Sequence, residues 1–242
     1  GAALRQLRKE GFEREELVVA TKAGFLSFDG EPPSDAREYF EETYLNSGLL
    51  SLDDIAAGSH CISPRYLESQ MDRSLENLGL NTLDIFYIHN PEIQLEEIAI
   101  EQLSERMRAA FEFLESALAD GRIRMYGTAT WNGYRAAADS HGFLNLETMV
   151  QCARDVGGPD HHFGVIQAPY NLAMREALVL RNQKVGNKFL STLEAADALG
   201  ITFIASASIH QARLVRNLPA FLGTHLPNLD SDAQRAIQFT RS

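Results

Sequence analysis

Asp84-Ile85-Phe86-Tyr87-Ile88-His89-Asn90-Pro91 is the stretch that decides how the rest of the chain is read. Four apolar or aromatic residues in succession suit a strand covered on both faces, as in a parallel sheet. The run closes on an ionisable side chain, and Asn90-Pro91 stops it. A polar residue that ends a buried strand faces the cleft where parallel strands empty out. In barrels of alternating strands and helices that rim carries the chemistry. Leu17-Val18-Val19-Ala20-Thr21-Lys22 has the same form and closes on a lysine. Three later apolar runs end on Thr130, Gln167 and Ser206.

Working outward from these runs, strands and helices alternate. Residues 1–10 read as a helix with Gly11 just past its end, and strand 17–22 follows. Ser63-Pro64 opens a helix, Ser as N-cap and Pro at the first helical position. Its apolar stripe is Leu67, Met71, Leu75 and Leu78, and Gly79 ends it. Strand 84–89, a helix over about 95–120 stopped by Gly121, and strand 125–130 come next. Helical stretches near 133–140 and 146–155 lead to strand 164–167. A helix over 186–199 precedes Gly200 and strand 201–206, and a last helix spans about 230–241.

This βαβα pattern with near-continuous apolar strands predicts an α/β fold, a parallel sheet covered by helices. A closed (β/α)8 TIM barrel has eight strands and about 250 residues. Five strands are counted here, and both ends read as cut, the first inside a helix and the last with no strand to follow. The expectation is therefore one incomplete barrel domain over 1–242 with a long insertion at about 23–62. Segments beyond about 12–15 residues in compact domains are usually functional or disordered. Phe25, Phe28, Tyr39, Phe40 and Tyr44 make this one too aromatic for disorder. A lid or partner surface over the strand ends, and an insertion packed by its own side chains, are equally good readings.

With 242 residues, 45% of them hydrophobic, the chain can bury a full core. A formal net charge of −11 argues against nucleic acid or an anionic membrane surface as partner. No apolar run approaches the roughly 18 residues of a membrane span, and the first ten residues do not resemble a signal peptide. Cys61 and Cys152 lie far apart and outside any CxxC spacing, which suits reduced thiols in a cytoplasmic protein. His60-Cys61 and Asp160-His161-His162 invite a metal reading, but neighbours in an extended chain point to opposite faces. Surface loops are the preferred reading there, and no metal site is expected. There is no G-x-G-x-x-G and no G-x-x-x-x-G-K-[ST]. Lys22 as a Schiff-base lysine is a weaker alternative, because such a lysine wants an apolar pocket. Tyr87 shares a face with His89 but sits deeper, so core packing is favoured over an acid role.

Thr21-Lys22-Ala23-Gly24, Asp84 to His89, Gly127-Thr128-Ala129-Thr130-Trp131 and Ile166-Gln167-Ala168-Pro169-Tyr170-Asn171 occur in this order. With these motifs the chain resembles the aldo-keto reductases over almost its whole length, the insertion being the weakest part. The resemblance implies a (β/α)8 barrel and an oxidoreductase transferring hydride from a nicotinamide cofactor, usually NADPH with NADH open, to a small aldehyde or ketone. Of the family's Asp, Tyr, Lys and His quartet, it implies that Lys22 is the lysine and His89 the histidine. The Asp and Tyr are expected before Gly1, so this piece alone is expected to be inactive. The resemblance further implies Thr130, Gln167 and Ser206 at cofactor-binding positions. Where the family often has Ser-Asn and a stacking tyrosine, this chain has Ala129-Thr130 and Ser206. Asn90, Trp131 and Phe25 are the candidates for touching substrate.

The chemistry of such a quartet follows from the reaction. Reducing a carbonyl needs a hydride on carbon and a proton on oxygen. A tyrosine of pKa near 10 is a sluggish acid, and a nearby ammonium favours its phenolate. Lys22 suits that task, and His89 can donate a hydrogen bond to the oxygen where charge develops. A catalytically idle barrel serving as nicotinamide-nucleotide sensor or scaffold is the alternative, motivated by Ala129, Ser206 and the insertion. Self-association is open, since apolar strand edges invite it.

Overall fold

The computed structural model describes all residues from Gly1 to Ser242. The chain divides into two compact units, Gly1–Ala129 with Thr148–Gly164, and Thr130–Glu147 with Val165–Ser242. In chain order the first unit begins with helix α1 (Ala2–Lys9), strand β1 (Ala20–Ala23), helix α2 (Ala36–Phe40) and the short strands β2 (Ile55–Ala56) and β3 (His60–Cys61). Helix α3 (Pro64–Leu78), strand β4 (Leu83–His89), helix α4 (Ile100–Ala119) and strand β5 (Ile123–Ala129) follow.

β4 lies parallel to β1 and to β5, with Lys22 opposite Tyr87 and His89 opposite Ala129. Residues 83–88 of β4 are all buried, as a continuous apolar run requires. The buried carboxylate of Asp84 is compensated: it accepts from the Val19 N–H at 2.7 Å and pairs with Arg14 at 2.8 Å and Arg124 at 3.3 Å. That contact also shortens β1, which starts at Ala20 rather than Leu17. The Val19 N–H goes to a side chain, and Val18 is 76% exposed. α3 forms as its signals predict, with Pro64 in its first turn, Leu67 and Met71 buried, and Gly79 left-handed at φ 66°. The helix expected from residue 95 begins instead at Ile100. Asn90 is left-handed at φ 49° and Pro91–Glu96 winds into a tighter 3₁₀ turn.

Residues 23–62 are largely organised. α2 runs into a π-helical turn, Glu41–Asn46, and β2 and β3 form an antiparallel hairpin. Tyr44, Leu50 and Cys61 pack with Tyr66 of α3, flanked by Tyr39 and Phe40, so the segment has its own small core. His60 and Cys61 are fully buried, which corrects the surface-loop expectation. The cause is pairing with the chain just past β1: Cys61 N–H donates to Gly24 O at 2.7 Å and Leu26 N–H to Ser59 O at 2.8 Å.

Helix α5 (Leu146–Gly157) belongs to the first unit from Thr148, and strand β6 (Phe163–Pro169) to the second from Val165. Within the first unit the rings of Phe111, Tyr126 and Phe163 lie 5.1–6.0 Å apart. Glu115 accepts from the Tyr126 hydroxyl and from the backbone and ring of His162, each at 2.8 Å.

The second unit continues with helix α6 (Glu176–Val179), strands β7 (Gln183–Val185) and β8 (Lys188–Leu190), helix α7 (Thr192–Leu199), strand β9 (Thr202–Ser206), and helices α8 (Phe221–His225) and α9 (Asp232–Arg241). β6 and β9 are parallel, with Gln167 opposite Ile204 and Pro169 opposite Ser206. Two expected helices are corrected. Residues 133–140 are turns: the Tyr134 carbonyl accepts from Asn182 at 2.7 Å, Gln183 at 3.0 Å and Thr192 at 2.8 Å, and the Ala136 carbonyl from Asn182 at 2.7 Å. The first half of 186–199 belongs to the β7–β8 hairpin, turning at Gly186 (φ 56°) and Asn187, and only Thr192–Leu199 is helical. Phe239 of α9 stacks on Tyr170 at 5.4 Å. Helices joining parallel strands make the chain α/β. Five such strands are present, against the eight of a closed (β/α)8 barrel. No helix is long and apolar enough to cross a membrane.

Candidate active site

The first unit brings Lys22, His89 and Phe25 together. Lys22 stands one residue before the end of β1 and His89 ends the neighbouring β4, so the register places both at one edge. The Lys22 ammonium lies 5.9 Å from the centre of the Tyr87 ring, and burial lowers its pKa. His89 is also held below the ordinary imidazole range, first by burial and then by the Lys22 charge. Its ring is therefore neutral at neutral pH and carries one N–H to donate. Phe25, 37% exposed, meets His89 edge-on at 5.3 Å and His60 at 5.1 Å.

Asn90 donates its N–H to Ala129 O at 2.7 Å, which ties the end of β4 to the end of β5. Tyr87 is 1% exposed, and its hydroxyl meets no partner. Burial pushes its pKa up to about 12, a poor value for proton donation at neutral pH.

The second unit groups the remaining candidates. Thr130 N–H donates to Gln167 O at 2.8 Å, so these two residues are neighbours through their backbones. The Thr130 hydroxyl is buried without a partner. Gln167 is inside β6 and not at its end, since the strand continues through Ala168 and Pro169. Ser206 ends β9, and its carbonyl accepts from Tyr170 N–H at 3.2 Å. Trp131 is 44% exposed.

Three residues that the sequence does not connect with His89 stand behind it: His60, Gln94 and Gly24. His60 Nε2 meets His89 O at 2.7 Å, and Gln94 Nε2 meets His60 Nδ1 at 2.7 Å. A Cβ on Gly24 would lie 2.8 Å from His60 Nε2 and closer still to His89 O. Only the glycine beside Lys22 was a visible signal, since glycine marks close backbone approach.

Parallel strands joined by helices define an α/β protein, with Lys22 and His89 near the ends of neighbouring strands in the first unit and Thr130 and Gln167 paired through their backbones in the second. Residues 1–153 match the aldo/keto reductase family, and the chain belongs to that family. No curated protein matches it in sequence. Among solved structures it is similar to the holo form of aldo-keto reductase AKR11C1 from Bacillus halodurans. The TM-score is 0.53 at 15% identity, over 95% of this chain and 60% of that one. It is also similar to a protein assigned as a 2,5-diketo-D-gluconic acid reductase B, with TM-score 0.52 at 14% identity, over 96% of this chain and 57% of that one. The chain thus spans about 60% of the length of these solved structures. The likeness shows the fold, an aldo-keto reductase α/β architecture with five parallel strands in this chain.

Proposed function

We propose that the protein works as an NADPH-dependent reductase of a small aldehyde or ketone, with Lys22 and His89 as its catalytic residues. One observation carries this reading: Lys22, one residue before the end of β1, and His89, the last residue of β4, stand near the ends of adjacent parallel strands, and both are held below their ordinary pKa values. A neutral His89 donates its N–H to the substrate oxygen, orients the carbonyl and stabilises the charge that develops there. The Lys22 ammonium favours the conjugate base of the acid that delivers the proton, a phenol in the family pattern. Phe25 beside His89, together with Asn90, would border the substrate.

The residues of the second unit fit a nicotinamide. The buried Thr130 hydroxyl has no protein partner, and the amide side chain of Gln167 suits a carboxamide. Thr130, Gln167 and Ser206 would hold that group. When bound, a reduced nicotinamide would supply the hydride for the carbonyl carbon, and the acid beside Lys22 would give the proton to the oxygen.

A sensor or scaffold that binds nucleotide without turnover is the second reading. It is favoured by Ser206, which offers no ring for nicotinamide to stack on at the end of β9.

NADPH titration of the full-length protein, followed by fluorescence, tests both readings, alongside a carbonyl-reduction panel with full-length wild type and His89→Ala. Binding with turnover that falls by roughly 10²-fold or more in the variant supports the reductase. Binding with no turnover of any carbonyl supports the sensor, and absence of binding removes both.

A further inference from the structure

We propose that His60 is a positioning residue for His89, holding the end of β4 through the His89 carbonyl as a single, locked imidazole tautomer. The inference rests on the reading of His89 as the residue that orients the carbonyl substrate.

Donor and acceptor identities leave one arrangement. The His89 carbonyl can only accept, so His60 Nε2, 2.7 Å away, carries the proton. His60 Nδ1 must then accept, and the Gln94 amide nitrogen donates to it at 2.7 Å and to His60 O at 3.2 Å. The amide cannot turn over, because Arg106 donates to Gln94 Oε1 and arginine cannot accept. Arg106 is itself anchored, donating through Nη2 to Asp53 O at 2.7 Å. Arg106 donates to Gln94, Gln94 to His60, and His60 to the His89 carbonyl, each step fixing the next. His60 and Gln94 are fully buried, so no water stands in for a lost partner.

The surroundings are built for this contact. Gly24 leaves the space in which His60 Nε2 and His89 O approach, where any Cβ would intrude. Phe25 bridges to His60 in an antiparallel pair and lays its ring against both imidazoles. The 23–62 segment thereby reaches the candidate catalytic histidine through its backbone, leaving the His89 ring free for chemistry.

The test compares wild type, His60→Leu and His60→Gln in the full-length protein, which carries whatever precedes Gly1 and follows Ser242. Glutamine presents an N–H near the place of Nε2, whereas leucine removes the donor. Two readouts run in parallel: the NMR signals and titration of the His89 imidazole, and steady-state carbonyl reduction with NADPH. The expected result is displaced His89 signals and an altered His89 titration in His60→Leu. In that variant kcat should fall about 10- to 100-fold, while KM for NADPH changes by less than about twofold. His60→Gln should recover most of both.

Unmoved His89 signals in His60→Leu, or a glutamine variant as impaired as the leucine one, overturns the proposal. If His60→Leu does not fold, Gln94→Leu, which retains His60 but frees its tautomer, is read by the same two criteria. If wild type reduces no carbonyl, the reductase reading falls on that ground, and the His89 signals alone decide whether His60 positions it.

Discussion

Replacing Gly24 by alanine is the most direct challenge to the geometry around His89. The added Cβ would stand 2.8 Å from His60 Nε2 and nearer to the His89 carbonyl oxygen, distances that real Cβ atoms do not show. Neither neighbour is a flexible side-chain tip: one is backbone, the other a buried ring held at both nitrogens. Forcing a methyl into a filled site costs typically 1–3 kcal/mol. Losing the His60–His89 bond and leaving a buried carbonyl unpaired adds about 1 kcal/mol or more. The sum is a destabilisation of ~2–4 kcal/mol, or a fall in Tm of about 4–16 °C at the sensitivity of chains this long. Gly142→Ala is the control, since its Cβ would enter open space at an ordinary φ. It should be neutral or slightly stabilising, because alanine restricts the unfolded chain. Urea unfolding followed by circular dichroism measures both. Gly24→Ala within about 0.5 kcal/mol of Gly142→Ala would refute the close approach on which the site depends.

Acid should release the Glu115 cluster. Burial pushes the Glu115 carboxyl up, but the backbone and ring of His162 and the Tyr126 hydroxyl outweigh it and hold the carboxyl below its ordinary value. A depressed carboxyl pKa contributes stability that is present above the unfolded value of about 4.3 and is lost as pH falls through the folded one. Glu115→Gln should therefore flatten the loss of stability below about pH 4.3, and an unchanged urea-midpoint profile from pH 6 to pH 3 contradicts this. Asp84→Ala leaves Arg14 and the Val19 N–H without their carboxylate. It should cost ~3–5 kcal/mol by chemical denaturation, and a loss under about 1 kcal/mol would make the pair a surface one in energy. Asn182→Ala leaves the Ala136 carbonyl without the Asn182 donor and removes one of three side-chain donors to the Tyr134 carbonyl. A destabilisation of ~1–3 kcal/mol is expected, with amide exchange accelerated over residues 133–146 first, and uniform acceleration across the second unit would count against it.

The readings that survive are those whose signals are local. A continuous apolar run announces β4 whatever surrounds it, and Ser63-Pro64 with Gly79 brackets α3 through backbone chemistry confined to a few residues. The misreadings arise where distant groups decide. Helical spacing over 133–140 yields to the amides of Asn182 and Gln183, which claim the carbonyls from nearly fifty residues away. The hairpin before α7 had a local signal that outranks the helical pattern, the Gly186-Asn187 pair between short strands. Val18 and Val19 are strand formers, yet an aspartate on the next strand takes the Val19 N–H and ends the ladder at Ala20.

By itself the sequence determined the α/β class, the succession of strands along the chain and the residues Lys22, His89, Thr130 and Ser206 at or beside strand ends, because strand pattern and strand punctuation are written in neighbouring residues. Only the tertiary structure decided what stands behind His89. His60, Gln94 and Arg106 come from a hairpin, a 3₁₀ turn and a helix, and nothing in their spacing announces that they meet. Their tautomer and amide orientations follow from hydrogen-bond complementarity in a buried place, which exists only once the 23–62 segment has packed against the end of β4.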